Sequence, residues 1–140
     1  MIPPAVRLET IEKGRSGGYK DVEALQSLEN DGWLRTTKLS HRSMRLSASL
    51  SDTVGEGEAQ AIALALERNE RLFIDDLKGR RAAEFYRIET TTTIGLIFEL
   101  LVRKVLSRVD YQRNIMNYGA QGWISEKIIS EFIQKGTDYE

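Results

Sequence analysis

The clearest pattern of apolar and polar positions lies in GEGEAQAIALALE (55–67). Ala59, Ile62, Ala63 and Leu66 recur there at the spacing of one helical face. Glu56 and Glu58 stand at the start of that helix, where free backbone N–H groups favour negative charge. RLFIDD (71–76) follows as a short apolar run ending in two aspartates, the form of a buried strand emerging at its C-terminal edge. A second helix is predicted from Leu77 to about Tyr86, a strand at IETTT (88–92), and a well-buried helix at IGLIFELLVRKVL (94–106). The repeated helix–strand–helix–strand order predicts a parallel sheet.

The flanks carry weaker signals. IPPAVRLE (2–9) opens on two prolines, which favour an extended entry into a helix starting near Ala5. GRSGG (14–18) reads as a loop, and Asp21 as the cap of a short helix with Val22, Leu25 and Leu28 on one face, ended by Gly32. Trp33–Thr37 alternates poorly but is bounded by turn signals, which suits a strand, and the polar run from Lys38 to Asp52 has no legible period. Near the C-terminus a weak helical segment around Arg113–Tyr118 precedes a clear one from Ser125 to Gln134. Ser125 is its expected cap, and Ile128, Ile129, Phe132 and Ile133 form an apolar stripe for core packing or a dimer seam. No internal repeat is visible.

Composition narrows the chemistry. A chain of 140 residues, 41% hydrophobic and 29% charged, has the size and make-up of one folded domain. Twenty Lys and Arg against 21 Asp and Glu give a net charge of −1, so any basic surface for nucleic acid must be local. Lys78, Arg80 and Arg81 follow the two aspartates directly, and Arg35, Lys38, Arg42 and Arg45 crowd the polar run; either group suits phosphates, or simply a solvated helix and loop. The absence of cysteine excludes a disulfide framework, a thiolate zinc site and a cysteine nucleophile. The single histidine, His41, sits in KLSHRSMR and reads as a surface residue. Trp33 and Trp123 begin apolar segments and are expected to be packed, the alternative being to stack on bases. No apolar run has the length of a membrane span and the N-terminus lacks the regions of a signal peptide, so a soluble cytoplasmic protein is expected.

The remaining candidates are carboxylates. In open parallel sheets ligands gather beyond the C-terminal ends of the strands, where Asp75 and Asp76 would emerge. If Glu9, Glu58 and this pair converge, their mutual repulsion makes a hard divalent cation, Mg2+ or Mn2+, the natural resident, and hydrolysis of phosphodiesters the natural chemistry. Spacing alone leaves them scattered. Each also has a plain structural use: Glu56 and Glu58 at a helix N-terminus, Asp75 or Asp76 as a cap, Glu9 in solvent.

The succession IPPAVRLE (2–9), GEGEAQAIALALE (55–67), RLFIDDLKGRRAAE (71–84) and TTTIGLIFELL (91–101), closed by GWISEKIISEFI (122–133), resembles the PIN-like family often encoded beside small antitoxins and related to VapC-type toxins. The resemblance implies a PIN-like α/β fold, a parallel β-sheet flanked by helices, and a site of clustered carboxylates binding Mg2+ or Mn2+ for RNA cleavage. In that likeness Glu9 matches the acidic residue of the early helix, Glu58 the one in the Gly-Glu-Ala motif and Asp76 the aspartate after the fourth strand, with Asp75 its alternate. Lys78, Arg80 and Arg81 are the expected nucleic-acid contacts. RNA and a cognate small antitoxin are the implied partners. The family's opening strand, whose aspartate is a metal ligand, and the helix after it have no counterpart before Ile2. The expectation is therefore an N-terminally truncated domain that acts as a metal-dependent endoribonuclease; the alternatives are a silent domain that binds an antitoxin or RNA, completion by a second copy or a strand-completing partner, a rearranged sheet, or a gene that starts further upstream.

Overall fold

Pro3 is extended at φ −78° and ψ 166°, and Pro4 occupies the first helical turn, where its missing N–H costs nothing. The helix therefore begins at once. In the computed structural model, which describes residues 1–122 and 124–139, α1 (Pro4–Arg7), a π-helical segment (Leu8–Lys13) and α2 (Gly14–Ser16) run on without a break. The stretch 14–18, expected as a loop, is thus helical in its first half. Gly14 is buried there because a Cβ would lie 2.8 Å from Val22 Cγ2, so this glycine serves packing instead of a turn. The turn falls to Gly18, at φ 70°. In α3 (Val22–Asn30) only Val22 of the expected face is buried; Leu25 is half-buried and Leu28 exposed.

Trp33–Thr37 contributes one parallel bridge, Ile2 to Thr36, rather than a strand. The Ile2 N–H donates to the Arg35 carbonyl at 2.8 Å and the Thr37 N–H to the Ile2 carbonyl at 2.9 Å.

The polar run that shows no period folds as α4 (His41–Val54), a helix of 14 residues. Ser40 caps it, its hydroxyl accepting from the Ser43 N–H at 3.2 Å. The inner face is Ser43, Ser47, Leu50 and Val54, a helical spacing hidden from hydropathy because half of it is serine. Buried Ser47 satisfies its hydroxyl on the Met44 carbonyl at 2.9 Å. Gly55, at φ 90°, turns the chain into α5 (Glu56–Arg68), where Ala59, Ile62, Ala63, Leu64 and Ala65 are buried. Small side chains on both helices allow a close hairpin, and the fully buried Ile62 contributes about 2 kcal/mol. Leu66, expected on that face, is exposed, because burial centres on Ile62 and Ala65.

Asn69 ends α5 in the left-handed conformation, the Glu70 N–H reaches back to the Ala65 carbonyl at 3.1 Å, and the chain reverses into β1 (Leu72–Phe73). With α6 (Leu77–Phe85) between them, β1 and β2 (Thr90–Thr91) form a parallel sheet of two strands. The predicted direction is right and the extent is not: ladder pairing covers only two residues of RLFIDD, whose end is consumed in capping α6. Leu72 and Ala83 close one core with Ile62 and Ala65, and Leu50, Val54, Ile74, Tyr86 and Ile88 surround it. The fold is a helix-rich α/β arrangement.

Contacts divide the chain at Thr90/Thr91 into two units. The second holds α7 (Thr93–Val102), α8 (Arg108–Gly119) and α9 (Glu126–Asp138). Thr92, Ser107 and Ser125 cap them, accepting from the N–H groups of Gly95, Asp110 and Ile128. The weak segment at 113–118 is the inner part of α8, which its cap at Ser107 extends backwards. Ile94, Leu101, Tyr111 and Ile115 form the core, with the Phe98 ring edge-on to Tyr111, Phe132 and Tyr139, each at 6.2 Å. Tyr111 donates its hydroxyl to the Phe132 carbonyl, and burial raises its pKa. Ile129, Phe132 and Ile133 of the α9 stripe join this core, while Ile128 remains exposed. Trp123 lies outside the described residues. Among those described, no helix is long and apolar enough to cross a membrane.

Candidate functional site

The first turn of α5 gathers two of the expected carboxylates. Glu58 is its third residue, and its side chain folds back so that Oε2 lies 2.9 Å from where a Cβ on Gly55 would be. Glu9 arrives from the π-helical segment, a local geometry that recurs at functional sites. Its carboxylate lies over Gly57, with Oε2 2.5 Å from the position of an added Cβ. The approach is fixed from the other end of α1, where the Ala5 N–H donates to Gln60 Oε1 at 3.0 Å. Among the described residues, neither Glu9 nor Glu58 has a hydrogen-bond or ion-pair partner.

Asp75 and Asp76 are exposed just beyond β1. The reversal at Asn69 sends the chain back along α5: the helix is about 20 Å long, and Leu72–Asp76 in extended form recovers about 16 Å. Ile74 accordingly packs into the cluster that holds Val54, the last residue of α4. Asp76 caps α6, Oδ2 accepting from the Gly79 N–H at 2.7 Å, which is the structural use its position allowed. Glu9 and Glu58 thus lie at the same helix terminus, over Gly57 and Gly55, and Asp76 stands at another. Among the described residues no three carboxylate or imidazole groups converge on a common point. The donors are all oxygen, the kind that Mg2+ and Mn2+ take, and among the described residues neither Glu9 nor Glu58 faces a cation.

Lys78 and Arg81 are exposed on α6, and half-buried Arg80 has its Nε buried with no partner among the described residues. Arg42 and Arg45 are exposed on α4 instead of in a loop, Lys38 is exposed ahead of it, and Arg35 donates to the Gly32 carbonyl at 3.2 Å. His41 is exposed at the start of α4. Trp33, expected to be packed, is 82% exposed: the turn at Gly32 and the bridge at Thr36 leave its ring no core to face.

Two carboxylates hold the scaffold in place. Glu29 takes Arg7 Nε at 2.7 Å and Nη2 at 3.0 Å, pinning α1 to α3, and this hydrogen bonding lowers its pKa. Glu67, at the end of α5, is lowered by the hydroxyls of Ser43 and Ser40 and by the Ser40 N–H, which ties it to the start of α4. Because both are depressed in the fold, their contribution is complete above about pH 4.5. It disappears as pH falls through the folded values. Thermal melts should therefore show stability falling below that pH, and Glu67→Gln should flatten the fall; an unchanged acid limb in that variant would count against the role.

Gly57 enters the sequence pattern only as the glycine of the Gly-Glu-Ala motif, with no role of its own, and Gln60 carries no signal there. The available signal was a glycine inside the first turn of an otherwise strong helix, which costs about 1 kcal/mol against alanine and commonly has a packing reason. Compared with known proteins, residues 1–138 match a family model described as a PIN domain. No curated protein and no solved structure matches the chain.

Proposed function

Because the chain belongs to the PIN-domain family, a nuclease-type fold, we propose that it is a metal-dependent endoribonuclease of toxin–antitoxin type that hydrolyses RNA phosphodiester bonds. The observation that supports the reading is the placement of Glu9 over Gly57 and of Glu58 over Gly55, both at the start of α5 and both without a cationic partner among the described residues. Glu9, Glu58 and Asp76, which share no common point among the described residues, would hold Mg2+ or Mn2+ only once drawn together on the ion, with Asp75 in support. The bound ion would lower the pKa of a water and offset charge on the phosphate under attack. Lys78, Arg80 and Arg81, on the helix that Asp76 opens, would hold the RNA backbone and set its register. The acidic surface at α5 would otherwise repel that backbone, so cation binding and RNA binding reinforce each other. A cognate small antitoxin is the proposed controlling partner, a second copy or a strand-completing chain the proposed assembly, and the cytoplasm the proposed location.

The test is incubation of the purified protein with single-stranded and structured RNA and Mn2+. Cleavage that a chelator stops and added Mn2+ restores is the expected result; intact RNA of both kinds would count against the proposal. Asp76→Asn separates the two uses of that residue. Asparagine caps a helix about as well as aspartate, so the variant should melt like the wild type and cleave far more slowly.

A second reading is favoured by Asp76 acting as a cap and by the absence of a three-carboxylate cluster among the described residues. In it the domain is catalytically silent and binds RNA or an antitoxin. RNA binding that persists with Mn2+ present and produces no fragments would select this reading.

A further inference from the structure

Gly57 is an unusual choice for the second residue of α5. It is buried, its φ is ordinary, and alanine there would favour the helix by about 1 kcal/mol. What glycine provides in exchange is space. A Cβ at this position would lie 2.5 Å from Glu9 Oε2, 3.2 Å from Cδ and 3.3 Å from Oε1, so the whole carboxylate occupies the volume of the missing side chain. Glu9 reaches this place from the π-helical segment, and the run that carries it is tethered by Ala5 to Gln60, one turn further along the same helix.

We propose that Gly57 is a positioning residue: the notch it leaves seats the Glu9 carboxylate against the first turn of α5, the turn that also carries Glu58, as half of a preformed cation site. The seating is a property of the metal-free chain, and its catalytic consequence rests on the metal-site reading above. Any L side chain at position 57 displaces the carboxylate. Because that carboxylate ends a flexible side chain, the fold absorbs the change while the ligand moves.

The experiment has two parts on the full chain. In the metal-free wild type, a nuclear Overhauser contact is expected between the Glu9 γ-methylene and the Gly57 α-protons. Mn2+ is then titrated calorimetrically into wild type, Gly57→Ala, Glu9→Gln and the double variant. Gly57→Ala should melt at or above the wild-type temperature yet bind Mn2+ about 10- to 100-fold more weakly. The double variant should be no weaker than Glu9→Gln alone, since the glycine acts only through Glu9. A missing Overhauser contact overturns the seating, and wild-type affinity in Gly57→Ala overturns the positioning role. A wild type that shows the contact but binds no Mn2+ overturns the metal-site reading and, with it, the positioning role, while the seating stands.

Discussion

Glu58→Gln is expected to slow Mn2+-dependent RNA cleavage by at least about 100-fold, the upper end of what loss of even an outer partner costs a metal site, with the melting temperature almost unchanged. Glutamine keeps the length and shape of the side chain and serves the third position of a helix as well as glutamate does. Only the charge is removed. The neighbouring Glu56 provides the control, since it lies on the same turn, is exposed, and accepts a hydrogen bond from Gln60 Nε2 at 3.4 Å. Both glutamates interact with the helix dipole, at about 0.5 kcal/mol each. If the first turn of α5 merely needs negative charge, the two glutamine variants will behave alike. If Glu58 is a ligand, Glu56→Gln will retain near wild-type activity while Glu58→Gln loses it.

Gly136→Ala is expected to destabilise the second unit by about 2 kcal/mol, although alanine is ordinarily the better helix former. Gly136 is a buried residue of α9, and a Cβ on it would lie 2.1 Å from Tyr111 Cε1 and 2.8 Å from Cδ1. The Tyr111 ring is almost wholly buried, its hydroxyl is held by the Phe132 carbonyl, and Phe98 packs edge-on to it. Unlike the Glu9 carboxylate over Gly57, this ring has nowhere to go. Thermal unfolding should show a drop of about 10 °C for a unit of this size. In a Tyr111→Leu background, which opens space at the same point, the added methyl should cost much less. Equal costs in both backgrounds would mean that the ring does not set the limit.

The contrast between these two glycines shows how much the sequence discloses. Helices α5, α6 and α9 are legible because their buried positions are apolar and their caps, Asp76 and Ser125, are ordinary capping residues. Helix α4 is not, because Ser43 and Ser47 fill the buried face that hydropathy would have to mark, and close packing of α4 on α5 replaces apolar bulk. The sheet is over-read for the opposite reason: RLFIDD has the composition of a strand throughout, but Asp76 leaves the ladder to cap α6. Glu9, Glu58 and Asp76 stand out as acids at element ends. That Glu9 reaches the first turn of α5 depends on a π-helical segment and on Gly57, tertiary features with no period in the chain. The pairing of Arg7 with Glu29 is equally silent, since residues so far apart share no local pattern.

Calorimetric titration of Mn2+ into the metal-free protein tests the central claim most directly. One saturable site per chain is expected, weakened sharply in Glu9→Gln and in Glu58→Gln and left nearly intact in Glu56→Gln. Heats no larger than dilution, or equal binding in all four proteins, would contradict it.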